Sequence, residues 1–163
     1  MIRDVEEKDF QVIVEIYNHY IRNTTISFEE VEIDSEEISV RINKVKSSDL
    51  SWLVFEENGQ VIGFAYASQW HDRSAYRNTV EISVYLDFQA TGQGFGSKLY
   101  EELFRRLNKK SIHVVIGGIA LPNPESVKLH EKFGMKQVAH YKEVGYKFGQ
   151  WIDVGYWQVL LNA

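Results

Sequence analysis

The chain has 163 residues, 44% of them apolar and 25% charged, with no cysteine and a formal net charge of -5. That length suits one domain with its own core (1–163), and the missing thiols exclude disulfides, thiolate metal sites and a cysteine nucleophile. An acidic balance disfavours nucleic acid or an anionic membrane as main partner; no apolar run reaches membrane-span length and the charged Met1-Ile-Arg-Asp start lacks a signal-peptide core, so cytoplasm is expected.

Ile2 to Val5 reads as a short strand, followed by a helix that carries Phe10, Ile13, Tyr17 and Tyr20 on one face and ends near Asn23. Thr24 to Glu29 reads as a loop anchored by Ile26 and Phe28. Asp34 and Glu37 have the spacing of a capped helix start, which continues through Ile38, Ile42 and Val45 to Ser47. Leu50 to Glu56 and Val61 to Ser68 are expected strands of an antiparallel hairpin, since Asn58-Gly59 suits a two-residue turn. After a loop from Gln69 to Asn78 comes the strand Val80-Glu-Ile-Ser-Val-Tyr-Leu86. It alternates, with Val80, Ile82, Val84 and Leu86 on one face and Glu81, Ser83 and Tyr85 on the other.

A helix from about Gly94 to Leu107 follows, then a strand from Ile112 to Ile119 and a short helix from Pro124 to Phe133, stopped by Gly134. The tail from Gln137 to Leu161 reads as two closing strands, with Gly145, Gly149 and Gly155 as breaks. The order βααβββαβαββ predicts an α/β fold, a mixed central sheet flanked by helices, with a right-handed parallel crossover late in the chain.

The most informative stretch joins the Glu81 strand to Thr91-Gly-Gln-Gly-Phe-Gly96 and the next helix. Its glycines allow positive φ and bare backbone, while the helix start offers free N–H groups and the positive end of its dipole. The occupant this suits is an anion. A nucleotide P-loop is excluded because Lys98 has no glycine directly before it. The dinucleotide fingerprint fails because Ser97 stands where its third glycine belongs. Glycine-rich turns also occur with no ligand.

The x-Gly-x-Gly-x-Gly turn after a strand resembles the pyrophosphate loop of the GNAT acetyltransferases. Further segments, Trp70-His-Asp-Arg-Ser-Ala-Tyr76, Gly94 to Tyr100, Leu121-Pro-Asn-Pro-Glu-Ser126 with His130, and Gly145 to Trp157, are similar to the phosphinothricin N-acetyltransferase family over nearly the whole chain. The resemblance implies the GNAT fold, acetyl-CoA as acetyl donor and a homodimer. It implies pantetheine contacts at the backbone of Val84, Tyr85 and Leu86, a pyrophosphate held by Gly92, Gln93, Gly94, Phe95, Gly96 and Ser97, and a pantetheine hydrogen bond from Asn123. Many superfamily members begin the loop with Gln or Arg where this chain has Thr91. Asn123 also suits a plain helix N-cap.

N-acetylation needs an uncharged amine, a polarised acetyl carbonyl and a proton for the departing thiolate. Glu81 fits the first need if apolar surroundings raise its pKa or a water relays the proton; the competing reading is a salt bridge to an arginine. A strand N–H at Val84 or Tyr85 fits the second. His130 stands seven residues after Asn123, where many superfamily members have a tyrosine acid, and serves either as acid or as a packed side chain. Phe28, Trp70, Arg73, Tyr76, Lys147 and Trp151 are the candidate substrate contacts, Arg73 for a carboxylate or phosphinate, the aromatics either there or in the core. The histidines lack ligand spacing, so no metal is expected.

The implied acceptors are small amino acid analogues such as phosphinothricin, methionine sulfoximine or methionine sulfone, acetylated on the α-amine. Other acceptors, a protein N-terminus or another small amine, and a non-catalytic acetyl-CoA sensor remain as alternatives.

Overall fold

The computed structural model describes residues 1–161, so the last two residues of the expected 1–163 domain lie outside the described ones. Seven strands, β1 (Ile2–Asp4), β2 (Trp52–Glu57), β3 (Gln60–Gln69), β4 (Thr79–Leu86), β5 (Val114–Leu121), β6 (Lys136–Lys147) and β7 (Gln150–Leu160), form one sheet in the order β1-β2-β3-β4-β5-β7-β6. The four helices are α1 (Phe10–Asn23), α2 (Ser35–Ser47), α3 (Phe95–Leu107) and α4 (Pro124–Lys132). The element order is the expected one.

Alternation along β4 sorts the helices onto the two faces. Tyr85 meets the rings of Tyr17 and Tyr20 of α1 at 5.0 and 5.3 Å between centroids. Val84 and Leu86, on the other face, lie under Gly96 and Leu129 of α3 and α4. Leu99, Leu103 and Leu107, one turn apart on α3, are buried in the core.

Local signals explain most boundaries. The Asp34 side chain accepts from Glu37 N at 2.9 Å and starts α2. Asn58 and Gly59, both at positive φ (53° and 78°), make the β2–β3 turn. Strand β5 begins two residues later than expected, at Val114, and continues to Leu121 because its register with β7 runs to Leu121↔Asp153.

The tail glycines need correction. Only Gly149, with Phe148 at positive φ, turns the chain; Gly145 and Gly155 lie inside β6 and β7. A Cβ at Gly145 would come within 2.3 Å of the Phe28 ring, and one at Gly155 within 2.5 Å of Trp157, so both make room for an aromatic ring.

The feature that positions the site is the β4–β5 junction. All neighbours in the sheet are antiparallel except this pair, and its parallel register covers only Thr79↔Val114, Val80↔Val115 and Glu81↔Ile116. Beyond Glu81 the two strands diverge while both continue, opening a V in the sheet.

Candidate active site

Glu81 stands at the apex of that V. Its carboxylate forms no ion pair or hydrogen bond with any described residue, and burial alone pushes its pKa above the ordinary carboxylate value. The arginine salt bridge considered from the sequence is therefore absent among the described residues. Gly118 of β5 leaves room for it: a Cβ there would sit 3.4 Å from Glu81 Oε1 and 3.0 Å from the Tyr156 ring.

The open edge of β4 has a definite parity. Bonds from Asp87 N to Ile62 O (2.8 Å) and from Trp70 N to Thr79 O (3.2 Å) bracket the β3–β4 ladder, both at odd-numbered residues of an unbroken register. Such pairs recur every second residue, so Tyr85 commits its N–H and C=O to Phe64 of β3, and Val84 and Leu86 turn theirs toward the gap. Tyr85 thus drops out as a backbone contact to a ligand in the V. The Leu86 carbonyl is already taken by the Tyr20 hydroxyl at 2.5 Å. The Val84 N–H and C=O and the Leu86 N–H remain on the open edge.

The gap leads to the glycine turn. Gly92 and Gly94 have φ of +76° and +84°, and nothing lies within 4 Å of the point where a Cβ would stand, so their demand for glycine is conformational and their outer face is open. Gly94 is the N-cap of α3 and supplies no side-chain bond, leaving the first-turn amides of Phe95, Gly96 and Ser97 without a cap. Lys132 of α4 reaches the Ser97 hydroxyl at 2.6 Å, bringing a cation to this corner. Open strand amides joined to an uncapped helix start fit a pantetheine arm ending in a pyrophosphate.

Asn123 is the N-cap of α4. Its Oδ1 accepts from Ser126 N at 3.2 Å as the α4 cap, and it also lines a small chamber of about 60 Å³ between the diverging strands with Val84, Tyr100 and His130. His130 is 4% exposed, with Nδ1 2.7 Å from the Ser126 carbonyl and Nε2 3.3 Å from the Tyr100 hydroxyl. A carbonyl only accepts, so Nδ1 carries the proton and Nε2 accepts from Tyr100. Burial lowers the His130 pKa, which favours this neutral form.

A larger cavity of about 720 Å³ adjoins the chamber and is lined by Tyr17, Phe28, Glu29, Glu81, Tyr141 and Tyr156, among others. Of the six expected substrate contacts, the structure brings only Phe28 into this lining. Trp70 stands behind it, edge-on to Tyr156 at 5.6 Å. Lys147 is 2% exposed and donates from Nζ to the Ser27 carbonyl at 2.7 Å, so its ammonium serves the protein backbone. Arg73 and Tyr76 lie on the exposed 70–78 loop, and Trp151 is 66% exposed beside Tyr146 at the β6–β7 end.

Several lining residues escaped the sequence reading. Ser83 shares the Glu81 face and was legible from alternation alone. Tyr156 reaches Glu81 only because β7 pairs with β5, Gly118↔Tyr156. Tyr141 borders a bulge in β6 and Val144 lies within it, where four steps from Tyr141 to Gly145 oppose two from Val154 to Ile152. Glu29 is held by Arg41 at 2.7 and 2.8 Å and by a short bond from Tyr17, and the arginine pushes its pKa below the usual carboxylate value.

A sheet split at one parallel pair, with an acid at the apex and an anion cradle below, is the architecture of a GNAT acetyltransferase, and residues 2–155 match the acetyltransferase (GNAT) domain family, to which the chain belongs. Within it the chain belongs to the phosphinothricin N-acetyltransferase family. It is 40% identical to the phosphinothricin N-acetyltransferase of Alcaligenes faecalis over 99% of this chain and 83% of that protein. It is 33% identical to the L-methionine sulfoximine/L-methionine sulfone acetyltransferase of Salmonella typhimurium, over 99% and 94%. The crystal structure of a GNAT phosphinothricin acetyltransferase from Sinorhizobium meliloti in complex with acetyl-CoA superposes with a TM-score of 0.96, at 33% identity over 99% of this chain and 88% of that one. The protein is an N-acetyltransferase whose acetyl donor is acetyl-CoA.

Among the described residues no helix is long and apolar enough to cross a membrane, and no group of three or more His, Asp or Glu could hold a metal.

Proposed function

We propose that the protein acetylates the α-amine of a small amino acid analogue bearing a tetrahedral, oxygen-rich head, of the phosphinothricin, methionine sulfoximine or methionine sulfone type. The observation that carries the reading is the unpartnered, pKa-raised Glu81 between the ligand gap and the 720 Å³ cavity. The names of the relatives from Alcaligenes faecalis and Salmonella typhimurium support the acceptor class.

In this reading the bound donor supplies an activated acetyl group between β4 and β5. Glu81 takes the proton from the amine as it attacks, directly or through one water, and its raised pKa makes it a better base than a solvated carboxylate. Val84 N–H, free on the open edge, stabilises the negative charge that develops on the acetyl oxygen. Gly92 to Ser97 hold the pyrophosphate by main-chain N–H groups. Asn123 caps α4 through its oxygen and keeps its amide donors for the pantetheine. Because Nε2 of the neutral His130 is bare, the proton for the departing thiolate is assigned to the Tyr100 hydroxyl, which His130 orients.

Arg73 and Tyr76 on the 70–78 loop are assigned to complete acceptor recognition when substrate binds, with Trp70 backing Tyr156 of the cavity wall. A homodimer through the exposed aromatic end of the β6–β7 hairpin is part of the proposal, supported by Tyr146, Phe148 and Trp151, all more than half exposed. A highly charged donor that does not cross membranes supports a cytoplasmic site of action.

The experiment is incubation with acetyl-CoA and a panel of such amines, with free thiol as readout. Thiol release with at least one analogue and none with the amine omitted is expected; no release from any of them defeats the acceptor assignment.

A further inference from the structure

We infer that Lys147 is a positioning residue for the amine-binding cavity: through the Ser27 carbonyl it latches the 24–33 loop onto the end of β6 and so sets the distance between two cavity walls. The inference rests on the reading of that cavity as the acceptor site.

Loop 24–33 joins α1 to α2 and contributes Ile26, Ser27, Phe28 and Glu29 to the cavity lining. It has no helix or strand of its own, so side chains must hold its backbone. From inside, Tyr17 reaches the Ser27 hydroxyl at 3.0 Å. From the end of β6, Lys147 reaches the Ser27 carbonyl at 2.7 Å, over a sequence distance of 120 residues.

Lys147 is an expensive choice for a mere filler. Its Nζ lies 5.0 Å over the Phe148 ring and burial lowers its pKa against the opposing pull of Glu30 and Glu29. A buried ammonium persists where a polar partner offsets its desolvation, and Ser27 O is the hydrogen-bond acceptor the fold provides.

A second contact shares the same strand end. Gly145, two residues before Lys147 and hence on the same face of β6, accommodates the Phe28 ring, which would collide with any Cβ there at 2.3 Å. Ser27 and Phe28 are adjacent, so the loop is attached at two points. Strand β6 also carries Tyr141 and Val144 into the lining of the same cavity. The latch therefore couples the two walls, while Lys147 itself does not line the cavity.

The test uses Lys147→Met, which keeps an unbranched apolar stem one atom shorter and removes the donor, and Gly145→Ala, which evicts Phe28. Each is expected to raise the KM for the amine about tenfold while the KM for acetyl-CoA and kcat stay within about twofold, as misplaced binding groups do. Limited proteolysis of the donor-free protein should cut within 24–33 several times faster in both variants. Calorimetric acetyl-CoA binding reports folding; if Lys147→Met fails to bind, Gly145→Ala decides. An unchanged amine KM together with an unchanged cleavage rate overturns the latch, as does an equal rise in both KM values. If the parent enzyme acetylates none of the amines, the acceptor assignment fails by itself, and faster cleavage within 24–33 still supports the latch.

Discussion

The Tyr100 hydroxyl lies 3.3 Å from Nε2 of His130 while Nδ1 faces the Ser126 carbonyl at 2.7 Å, an arrangement that fixes one tautomer of the buried imidazole. Nitrogen-detected NMR at pH 7 should find Nδ1 protonated and Nε2 bare. A folded pKa below the ordinary value makes the His130 contribution to stability present above pH ~6.5 and lost as pH falls through the folded value. The loss of thermal midpoint between pH 7 and pH 5 should accordingly shrink in His130→Gln.

Glu81→Gln removes the base and keeps the shape. Turnover should fall by about 10²–10⁴-fold with acetyl-CoA affinity within about twofold. In the parent, the acidic limb of the kcat/KM profile should lie above the pH ~4.3 of a free glutamate.

The same variant tests stability with a definite sign. Burial raises the folded pKa of Glu81, so its contribution is full below the unfolded value and is lost as pH rises through the folded one. Gln carries no charge to desolvate. Glu81→Gln should melt higher than the parent at pH 8, with the gain shrinking toward pH 4.

Gly94, at φ +84° with open space where a side chain would project, isolates backbone strain from collision. Gly94→Ala should cost about 1–2 kcal/mol and weaken coenzyme binding, with Gly94→Asn milder because asparagine tolerates the left-handed region better. Equal effects of Ala, Asn and Val, read by calorimetry and thermal melting, would argue against this origin.

Trp151, 66% exposed at the hairpin end, tests the dimer. Sedimentation should give a dimer for the parent and a monomer for Trp151→Glu, because burying a carboxylate in an apolar contact is prohibitive. A parent monomer at all concentrations removes this part of the proposal.

Much of the architecture was legible because apolar spacing and turn chemistry are local. The Glu81 face, the Asn58-Gly59 turn, the α2 cap and the glycine corner all follow from short stretches of chain. What escaped depends on strand order: Tyr156 meets Glu81 through β5, and only the β3–β4 register tells Val84 from Tyr85. Lys147 illustrates the same limit, since a lysine near an aromatic run reads as a ligand contact until its partner, Ser27, is seen across the fold. Gly145 and Gly155 read as breaks because nothing in the tail announces the rings seated against them.

The short seam between β4 and β5 carries a mechanical implication. Among the described residues the backbone seam between the β1–β4 wing and the β5–β7 wing is confined to Asn78 through Glu81, so a donor lying between the wings doubles as a staple. Its departure after each turnover should leave the wings freer to breathe, with the apical acid sitting on the hinge line.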